Sequence, residues 1–170
     1  MKTPTTPLLS TVCQSPVGEL LLVCRPQALC GCWFADQSDI PGWAKTAPSG
    51  HTHLLQRAVE QLSDYFARRR RDFDLPLDCA YGTEFQQSVW QALNRIPYGH
   101  TIPYGELAQA LGRPRAVRAL GAAVGRNPLA IILPCHRVVG ADGSLTGYTG
   151  GLERKAFLLQ LEQPQASFIH

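Results

Sequence analysis

The pattern of hydrophobic and polar positions divides the chain into two parts of different character. In the first part, short apolar segments at residues 9–14, 19–24 and 30–34 predict three β-strands. Turn-forming residues at 15–18 join the first two strands into a hairpin. Large apolar residues then recur every fourth position across residues 54–66, which predicts an amphipathic helix packed on the sheet.

Four consecutive arginines, residues 68–71, follow this helix. They are compatible with DNA binding, but cations at a helix C-terminus also complement the helix dipole, and we favour that structural interpretation. Residues 72–81, which include Pro76, predict a linker. We therefore expect an N-terminal domain at residues 1–80 and a C-terminal domain at residues 81–170.

The second part is predicted to be mostly helical. Thr83 and Gln86 form a capping-box pattern that begins one helix. Pro103 suits the start of a second helix, which the Gly-Arg-Pro sequence at 112–114 ends, and a third runs over residues 115–125. Two short helices joined by a glycine-containing turn predict a helix-turn-helix. The fold class is therefore α+β, with a small antiparallel sheet before a mostly α domain.

The third helix of this part has an unusual composition. Ala116, Ala119 and Ala123 are expected to share one nearly smooth face, and Arg118 is the prominent polar projection. Small residues allow close packing against a neighbouring helix, which is the structural interpretation. The functional interpretation is a helix that contacts DNA through its backbone and shape, since a helix that reads bases in the major groove carries more polar side chains.

The strongest candidate chemistry lies where an apolar run ends. Residues 131–134 have the length and composition of a buried strand that ends in a proline. Cys135 follows directly, beside His136 and Arg137, so two potentially cationic groups are expected near the sulfur, where positive charge favours the nucleophilic thiolate. Residues 140–151 then contain five glycines, which indicates a site built from irregular backbone.

Composition narrows the class of protein. The chain has 170 residues, 45% hydrophobic and 17% charged, with a net charge of +3, as in an ordinary globular protein that could bind nucleic acid. We predict no membrane segment and no signal peptide. The six cysteines form no small secreted framework, which predicts reduced thiols in the cytoplasm. A metal site drawn from Cys13, Cys24, Cys30 and a histidine is an alternative use of these residues, but we predict no metal and no cofactor.

These motifs together resemble one family of DNA-repair proteins. Residues 134–140 are similar to the active-site signature of the methylated-DNA–protein-cysteine methyltransferases, the O6-alkylguanine-DNA alkyltransferases of direct repair. The Asn127-Pro128 pair upstream and residues 146–151 downstream fit the family's spacing, and the resemblance covers residues 83–162. It implies a ribonuclease-like N-terminal domain and a winged-helix-like C-terminal domain.

The resemblance implies a role for each matching residue. Cys135 is the alkyl acceptor, His136 its base, and Glu162 the carboxylate that orients the histidine. Tyr104 contacts the flipped nucleotide, and Arg118 fills the space that the nucleotide leaves. The other residues implied in the binding of DNA or substrate are Ala116, Ala119, Asn127, Pro134, Tyr148, Thr149 and Gly150.

The implied function is a single-turnover alkyl transfer. A thiolate is a suitable soft nucleophile for the alkyl carbon, and the thioether that forms has no easy hydrolytic exit. The expected partner is double-stranded DNA containing O6-alkylguanine, bound through the minor groove with the base flipped, by a monomer. O4-alkylthymine is a further possible substrate. Two alternatives stay open: a DNA-binding regulator that senses alkylation at Cys135, and a cysteine hydrolase that uses Cys135, His136 and Glu162.

Overall fold

The N-terminal part is an antiparallel sheet. The computed structural model describes residues 6–164, and it contains strands β1 (Leu9–Cys13), β2 (Leu20–Cys24) and β3 (Leu29–Phe34) in the order β1-β2-β3. Both pairings are antiparallel, and every residue of β3 is buried. The predicted hairpin and its three strands are confirmed.

One long helix covers this sheet. Helix α2 (His53–Phe66) begins at Thr52, whose hydroxyl accepts a hydrogen bond from the Leu55 amide at 3.0 Å. A short helix, α1 (Gly42–Lys45), lies between β3 and α2. The apolar stripe of α2 faces the sheet, and its buried apolar members are Leu54, Leu55, Ala58, Leu62 and Tyr65.

The four arginines after α2 interact mostly with nearby protein groups. Arg68 has a positive φ of 60° and follows the end of the helix. Arg69 pairs with Asp64 at 3.3 Å, and the Arg71 guanidinium lies 5.3 Å from the centre of the Tyr98 ring. These contacts support the structural interpretation of the run.

The C-terminal part begins with helix α3 (Glu84–Leu93), and the predicted capping box is present. The Thr83 hydroxyl accepts from the Gln86 amide at 3.1 Å, and the Gln86 side chain accepts from the Thr83 amide at 3.0 Å. Both donors belong to the first turn, where the backbone has no partner within the helix. This reciprocal pair explains why the helix begins where it does.

Helices α4 (Tyr104–Ala110) and α5 (Val117–Gly125) form the predicted helix-turn-helix. The turn between them passes through Gly112, which has a φ of 70°. The Trp90 indole on α3 donates a hydrogen bond to the Ala123 carbonyl at 2.9 Å, which fixes α5 against α3. Both parts of the chain contribute to one apolar core.

A short parallel sheet and a last helix complete the C-terminal part. Strand β4 (Ile102–Pro103) pairs with β5 (Val138–Val139), and a 3-10 turn at Cys135–Arg137 precedes β5. Helix α6 (Leu152–Leu161) packs against that turn. The turn that contains Cys135 therefore packs against α6 and leads directly into β5.

The expectation that residues 131–134 form a strand is wrong. Residues 131–133 form a tight buried turn in which Ile131 has a φ of 72°. The Leu133 amide donates to the Leu129 carbonyl at 2.8 Å, so hydrogen bonds close locally and not across a ladder. The run is apolar because it lies in the core, and composition alone does not distinguish a buried turn from a buried strand.

The described part of the chain lacks a membrane-spanning helix and a metal-binding cluster. In residues 6–164 no helix is long and apolar enough to cross a membrane. Within the same range no three His, Cys, Asp or Glu side chains lie together in a way that could hold a metal ion. All six cysteines are free.

Candidate active site

Cys135 lies at the first position of the 3-10 turn, and Asn127 braces the segment before it. The Asn127 side-chain amide donates to the Leu133 carbonyl at 2.8 Å, and its oxygen accepts from the Leu129 amide at 3.0 Å. These bonds stabilise the left-handed turn at Ile131. Pro134 is buried and directly precedes the cysteine, which is itself only 7% exposed.

Behind the cysteine, His136 bonds to Glu162 at the C-terminal end of α6. Nε2 of the imidazole lies 2.7 Å from the Glu162 carboxylate, and both side chains are fully enclosed. The same carboxylate oxygen accepts a hydrogen bond from the Tyr65 hydroxyl at 2.6 Å. Nδ1 of His136 is buried and has no hydrogen-bond partner within the described part of the chain.

Arg137 completes this buried group and corrects one expectation. Its guanidinium donates from Nε to one Glu162 oxygen at 2.8 Å and from Nη2 to the other at 2.9 Å. Nη1 donates to the Ile96 carbonyl at 2.6 Å. We call Tyr65, His136, Arg137 and Glu162 the acid cluster.

The prediction that Arg137 lies beside the sulfur is therefore wrong. A 3-10 turn has about three residues per turn, so consecutive side chains point in different directions. Arg137 is directed at Glu162 while Cys135 is directed into a cavity. Adjacency in sequence did not translate into adjacency in space.

The acid cluster shifts the pKa values of its members. Burial opposes ionisation of Glu162, but hydrogen bonds from His136 and Arg137 outweigh it and lower the pKa to about 2. Burial lowers the pKa of His136, and the adjacent Glu162 carboxylate only partly offsets this. The histidine is therefore neutral near pH 7 and can accept a proton.

The thiol of Cys135 is not pre-ionised by its surroundings. Burial raises its pKa, while the Asn127 amide, the Tyr148 hydroxyl and the Lys155 charge act in the opposite direction and do not cancel the rise. The expectation that nearby cations hold a thiolate is thus wrong for the resting protein. A base has to remove the proton when the thiol reacts.

Lys155 is a functional candidate that the sequence reasoning missed. It is fully buried, and its ammonium donates to the Val138 carbonyl at 2.6 Å and to the Thr146 carbonyl at 3.0 Å. It also lies 5.9 Å from the centre of the Tyr104 ring. A usable signal existed, because Lys155, Leu158 and Glu162 are spaced to share one helix face.

In front of the cysteine lies a cavity of about 180 Å³, which we call the Cys135 pocket. The Thr149 hydroxyl donates to the Gly125 carbonyl at 2.6 Å and so attaches the glycine-rich segment to the end of α5. Tyr104 donates a longer bond, 3.4 Å, to the Thr146 carbonyl. The predicted residues that line the pocket are Tyr104, Asn127, Cys135, Tyr148, Thr149 and Gly150.

The N-terminal part also lines this pocket, which the sequence did not indicate. Phe34 at the end of β3 and Gln37 just after it belong to the wall. The sheet reaches the site because Cys32 pairs with the segment before the cysteine: its amide donates to the Pro128 carbonyl at 2.8 Å, and its carbonyl accepts from Ala130 at 2.9 Å. Only the tertiary fold brings these residues together.

The outer face of α5 differs from the prediction in one residue. Arg118 and Ala119 are exposed and Ala116 is half-buried, but Ala123 is buried, and its carbonyl accepts the hydrogen bond from Trp90. Ala123 therefore packs inside the domain and does not belong to an open smooth face. Arg118 makes no hydrogen bond or ion pair with any of residues 6–164.

Three kinds of comparison point in one direction. Two family models match: the 6-O-methylguanine DNA methyltransferase ribonuclease-like domain at residues 8–79 and the DNA binding domain of the same proteins at residues 84–164. A methylated-DNA–protein-cysteine methyltransferase of Mycolicibacterium paratuberculosis is 49% identical over 149 residues, which is 88% of each chain. A constitutive one from Bacillus subtilis is 45% identical and covers 90% of this chain and 94% of its own.

Solved structures give the same result. The Mycobacterium tuberculosis protein OGT in complex with DNA has a TM-score of 0.83 and 44% identity over 92% of this chain and 96% of its own. The O6-methylguanine methyltransferase structure from the same organism has a TM-score of 0.84 with 44% identity, and covers 95% and 96%. This chain is therefore similar to these proteins in both sequence and fold over nearly its whole length.

Proposed function

This chain belongs to the 6-O-methylguanine DNA methyltransferase family, and we propose that it repairs DNA by moving an alkyl group from O6 of guanine to the sulfur of its own Cys135. The activity is that of a methylated-DNA–protein-cysteine S-methyltransferase. One observation carries the proposal: a buried cysteine faces a pocket beneath the helix-turn-helix while a buried histidine–carboxylate pair lies directly behind it.

The proton of the thiol leaves toward His136. Because Glu162 accepts from the Nε2 side of the ring, Nδ1 carries the free lone pair. No direct bond joins Cys135 to His136 among the hydrogen bonds of residues 6–164, so one bridging water is the simplest connection between them. Glu162 fixes the tautomer and stabilises the imidazolium that forms.

The alkyl transfer forms one bond and breaks one bond. Sulfur attacks the alkyl carbon, a carbon–sulfur bond forms, and the bond between that carbon and O6 breaks with its electron pair going to guanine. The purine leaves as an anion, which the Tyr104 hydroxyl at the pocket wall protonates or stabilises by a hydrogen bond. The thioether product has no hydrolytic exit, so one protein molecule carries out one transfer. No step calls for a cofactor.

DNA is the partner, and α5 is the element that approaches it. Exposed Ala119 and Ala122 are small, and Val117 is a larger exposed apolar neighbour of Arg118. Such a surface suits shape and backbone contacts in the minor groove and not base reading in the major groove. The guanine has to leave the stack to reach the Cys135 pocket, at a cost of a few kcal/mol. Arg118 enters the space it leaves, and the protein acts as a monomer. O4-alkylthymine is a possible second substrate of the same pocket.

Two further expectations stay proposals of their own. We place the domain boundary at residue 80, between domains 1–80 and 81–170, and limited proteolysis within residues 72–81 tests it. We place the protein in the cytoplasm, in agreement with its free cysteines.

Mass spectrometry after incubation with duplex DNA containing O6-methylguanine tests the proposal. We expect a stable gain of one methylene mass on the Cys135 peptide, at no more than one product per protein. Cys135→Ala serves as the control and keeps lesion binding without the gain. Tight binding with no mass gain favours a DNA-binding regulator, and repeated turnover rules out the single-transfer scheme.

A further inference from the structure

Arg154, in the first turn of α6, connects the two parts of the chain at the edge of the Cys135 pocket. Its guanidinium forms a fork with the Asp36 carboxylate, at 2.7 and 3.0 Å, just after β3. Nε donates to the Val17 carbonyl at 2.7 Å in the hairpin turn. Nη1 also donates to the Gly150 carbonyl at 3.2 Å, and the guanidinium carbon lies 4.6 Å from the centre of the Phe34 ring.

Two of these contacts are to residues of the pocket wall. Phe34 and Gly150 both line the Cys135 pocket, and they touch so closely that a side chain at position 150 would overlap the Phe34 ring. The Phe34 ring also meets Tyr148 edge to face, with 6.1 Å between centroids. Arg154 therefore fixes the point at which the N-terminal sheet meets the glycine-rich segment.

The next residue of α6 fixes the other end of the same segment. Lys155 donates to the carbonyls of Thr146 at 3.0 Å and Gly147 at 3.4 Å, while Arg154 donates to Gly150. The first turn of α6 thus supports the whole pocket segment from two sides. The acid cluster lies at the opposite end of this helix and does not include Arg154.

We propose that Arg154 is a positioning residue that sets which alkyl groups the Cys135 pocket accepts, by holding Phe34 of the N-terminal sheet against Gly150. The inference rests on the proposed function, since it concerns the substrate range of the same pocket. It also assigns a task to the N-terminal domain: it supplies one rigid wall of the acceptor site.

The contacts argue against a purely stabilising ion pair. Asp36 is 69% exposed, and pairs at such positions contribute little to stability because water and salt screen them. The contacts made to Gly150 and to the face of Phe34 fix geometry instead. Removing the guanidinium frees one wall while the Cys135–His136–Glu162 arrangement keeps all its own contacts.

The test compares a small and a large substituent on the same base. Transfer rate constants are measured with O6-methylguanine and O6-benzylguanine, each within one oligonucleotide sequence, for the wild type, Arg154→Met and Arg154→Lys. A looser wall admits the larger group and orients the smaller one less well. We expect Arg154→Met to raise the benzyl-to-methyl rate ratio by about fivefold or more. Arg154→Lys, which keeps the charge but not the fork, gives an intermediate ratio.

Arg57→Met is the matched control. Arg57 also joins a helix to a distant segment, since it donates to the Asp74 carbonyl at 2.7 Å, and it takes no part in lining the Cys135 pocket. We expect its rate ratio to equal that of the wild type. Unfolding temperatures of all variants are recorded alongside.

The outcomes are distinct. An unchanged ratio in folded Arg154→Met, or the same change in Arg57→Met, overturns the inference. If Arg154→Met does not fold, Arg154→Lys and Asp36→Asn decide in the same way, and an unchanged ratio in both overturns it. Absence of transfer in the wild type refutes the proposed function itself, which separates the two failures.

Discussion

The two sides of Cys135 are built differently. Behind it lies the buried acid cluster. One Glu162 oxygen is hydrogen-bonded to Tyr65, His136 and Arg137, and the other accepts a hydrogen bond from the Arg137 guanidinium. In front, the Tyr148 hydroxyl interacts with the Cys135 thiol and makes no regular hydrogen bond to any other group within residues 6–164, and Tyr104 makes one long bond. Around Glu162 the charged and multiply bonded network tolerates little change, although Nδ1 of His136 has no partner within the described residues. A sparsely bonded pocket wall leaves polar groups available to a substrate.

This contrast separates proton chemistry from recognition. In the proposed function the same proton transfer serves every alkyl group, so the geometry behind the sulfur can be fixed. In the proposed function the alkyl groups differ in size, and the wall of the Cys135 pocket is the part of the site that meets them. Substitutions in the acid cluster should therefore lower stability and slow transfer together. Substitutions in the wall of the Cys135 pocket should first change the selectivity for the alkyl group.

Glu162→Gln is the most severe test of the acid cluster. It removes the charge that pairs with Arg137, and the guanidinium stays buried without a counter-ion. We expect the free energy of unfolding to fall by about 3 to 5 kcal/mol. Transfer slows as well, because His136 loses the carboxylate that orients it. Chemical denaturation and single-turnover kinetics measure the two effects.

Tyr65→Phe is the control for this variant. It removes one hydrogen bond to the same carboxylate and keeps the ion pair, so it costs about 1.5 to 3 kcal/mol. If Glu162→Gln is no more destabilising than Tyr65→Phe, the buried pair of Arg137 and Glu162 does not stabilise the acid cluster.

Acid should weaken the same cluster. The pKa of Glu162 is lowered from 4.5 to about 2, so its contribution is complete above pH 4.5 and is lost as the pH falls toward 2. That loss amounts to up to about 3 kcal/mol. The lowered pKa of His136 acts in the same direction, because protonation below pH 6.5 favours the unfolded chain.

Denaturation curves recorded between pH 7 and pH 2 measure this dependence. Glu162→Gln lacks the carboxylate and should show a shallower decline between pH 4.5 and pH 2. Parallel curves for the variant and the wild type would falsify the assignment of the acid sensitivity to Glu162.

Local signals allowed much of the scaffold to be predicted. The capping box at Thr83 and the fourth-residue spacing in α2 depend on neighbouring residues, and both elements occur where they were expected. The turn at residues 131–133 depends on a hydrogen bond from the Asn127 side chain. The apolar composition of the turn does not reveal that bond, and so it indicated a strand. Local patterns describe local hydrogen bonding and not bonds made by a side chain several residues away.

The site divides in the same way. The Cys135-His136 pair is adjacent in sequence and was visible at once, whereas the directions of Arg137 and Lys155 depend on how the 3-10 turn and α6 pack. Phe34 lies about a hundred residues from the cysteine, and only the pairing of Cys32 with residues 128–130 brings it to the pocket. Long-range pairing of this kind leaves no periodic signal.

Gly150→Ala tests the front of the pocket. The added methyl group would overlap the Phe34 ring, which is itself almost fully buried and held under Arg154. Overpacking of this kind costs about 1 to 3 kcal/mol. We expect transfer of larger alkyl groups to decline more than transfer of methyl, as measured by the rates with O6-methylguanine and O6-benzylguanine.

Gly42→Ala is the matched control, because a methyl group there meets nothing within 4 Å and the residue lies in helix α1. It should leave both transfer rates unchanged. Equal declines for the two substrates in Gly150→Ala would mean that the pocket wall affects reactivity and not size selection.

Arg118→Ala should have the smallest effect on the protein and a specific effect on the reaction. Arg118 is exposed and has no hydrogen bond or ion pair to lose within the described residues, so the unfolding free energy should change by less than about 0.5 kcal/mol. Transfer from duplex DNA should fall about tenfold, since the extruded state loses part of the support that offsets unstacking. Transfer from free O6-benzylguanine, which has no stack to leave, should be unchanged.

Salt dependence then distinguishes insertion from a simple phosphate contact. If Arg118 neutralises one phosphate, its removal reduces the slope of log affinity against log salt by about 0.9, and binding weakens equally on damaged and intact duplex. If Arg118 fills the space of the extruded base, the slope stays close to that of the wild type and the loss is confined to transfer. Arg57→Ala, which removes the same charge from α2, sets the size of the non-specific effect. An equal fall in transfer from duplex and free base would show that Arg118 acts on the Cys135 pocket, and would place the boundary between chemistry and recognition elsewhere.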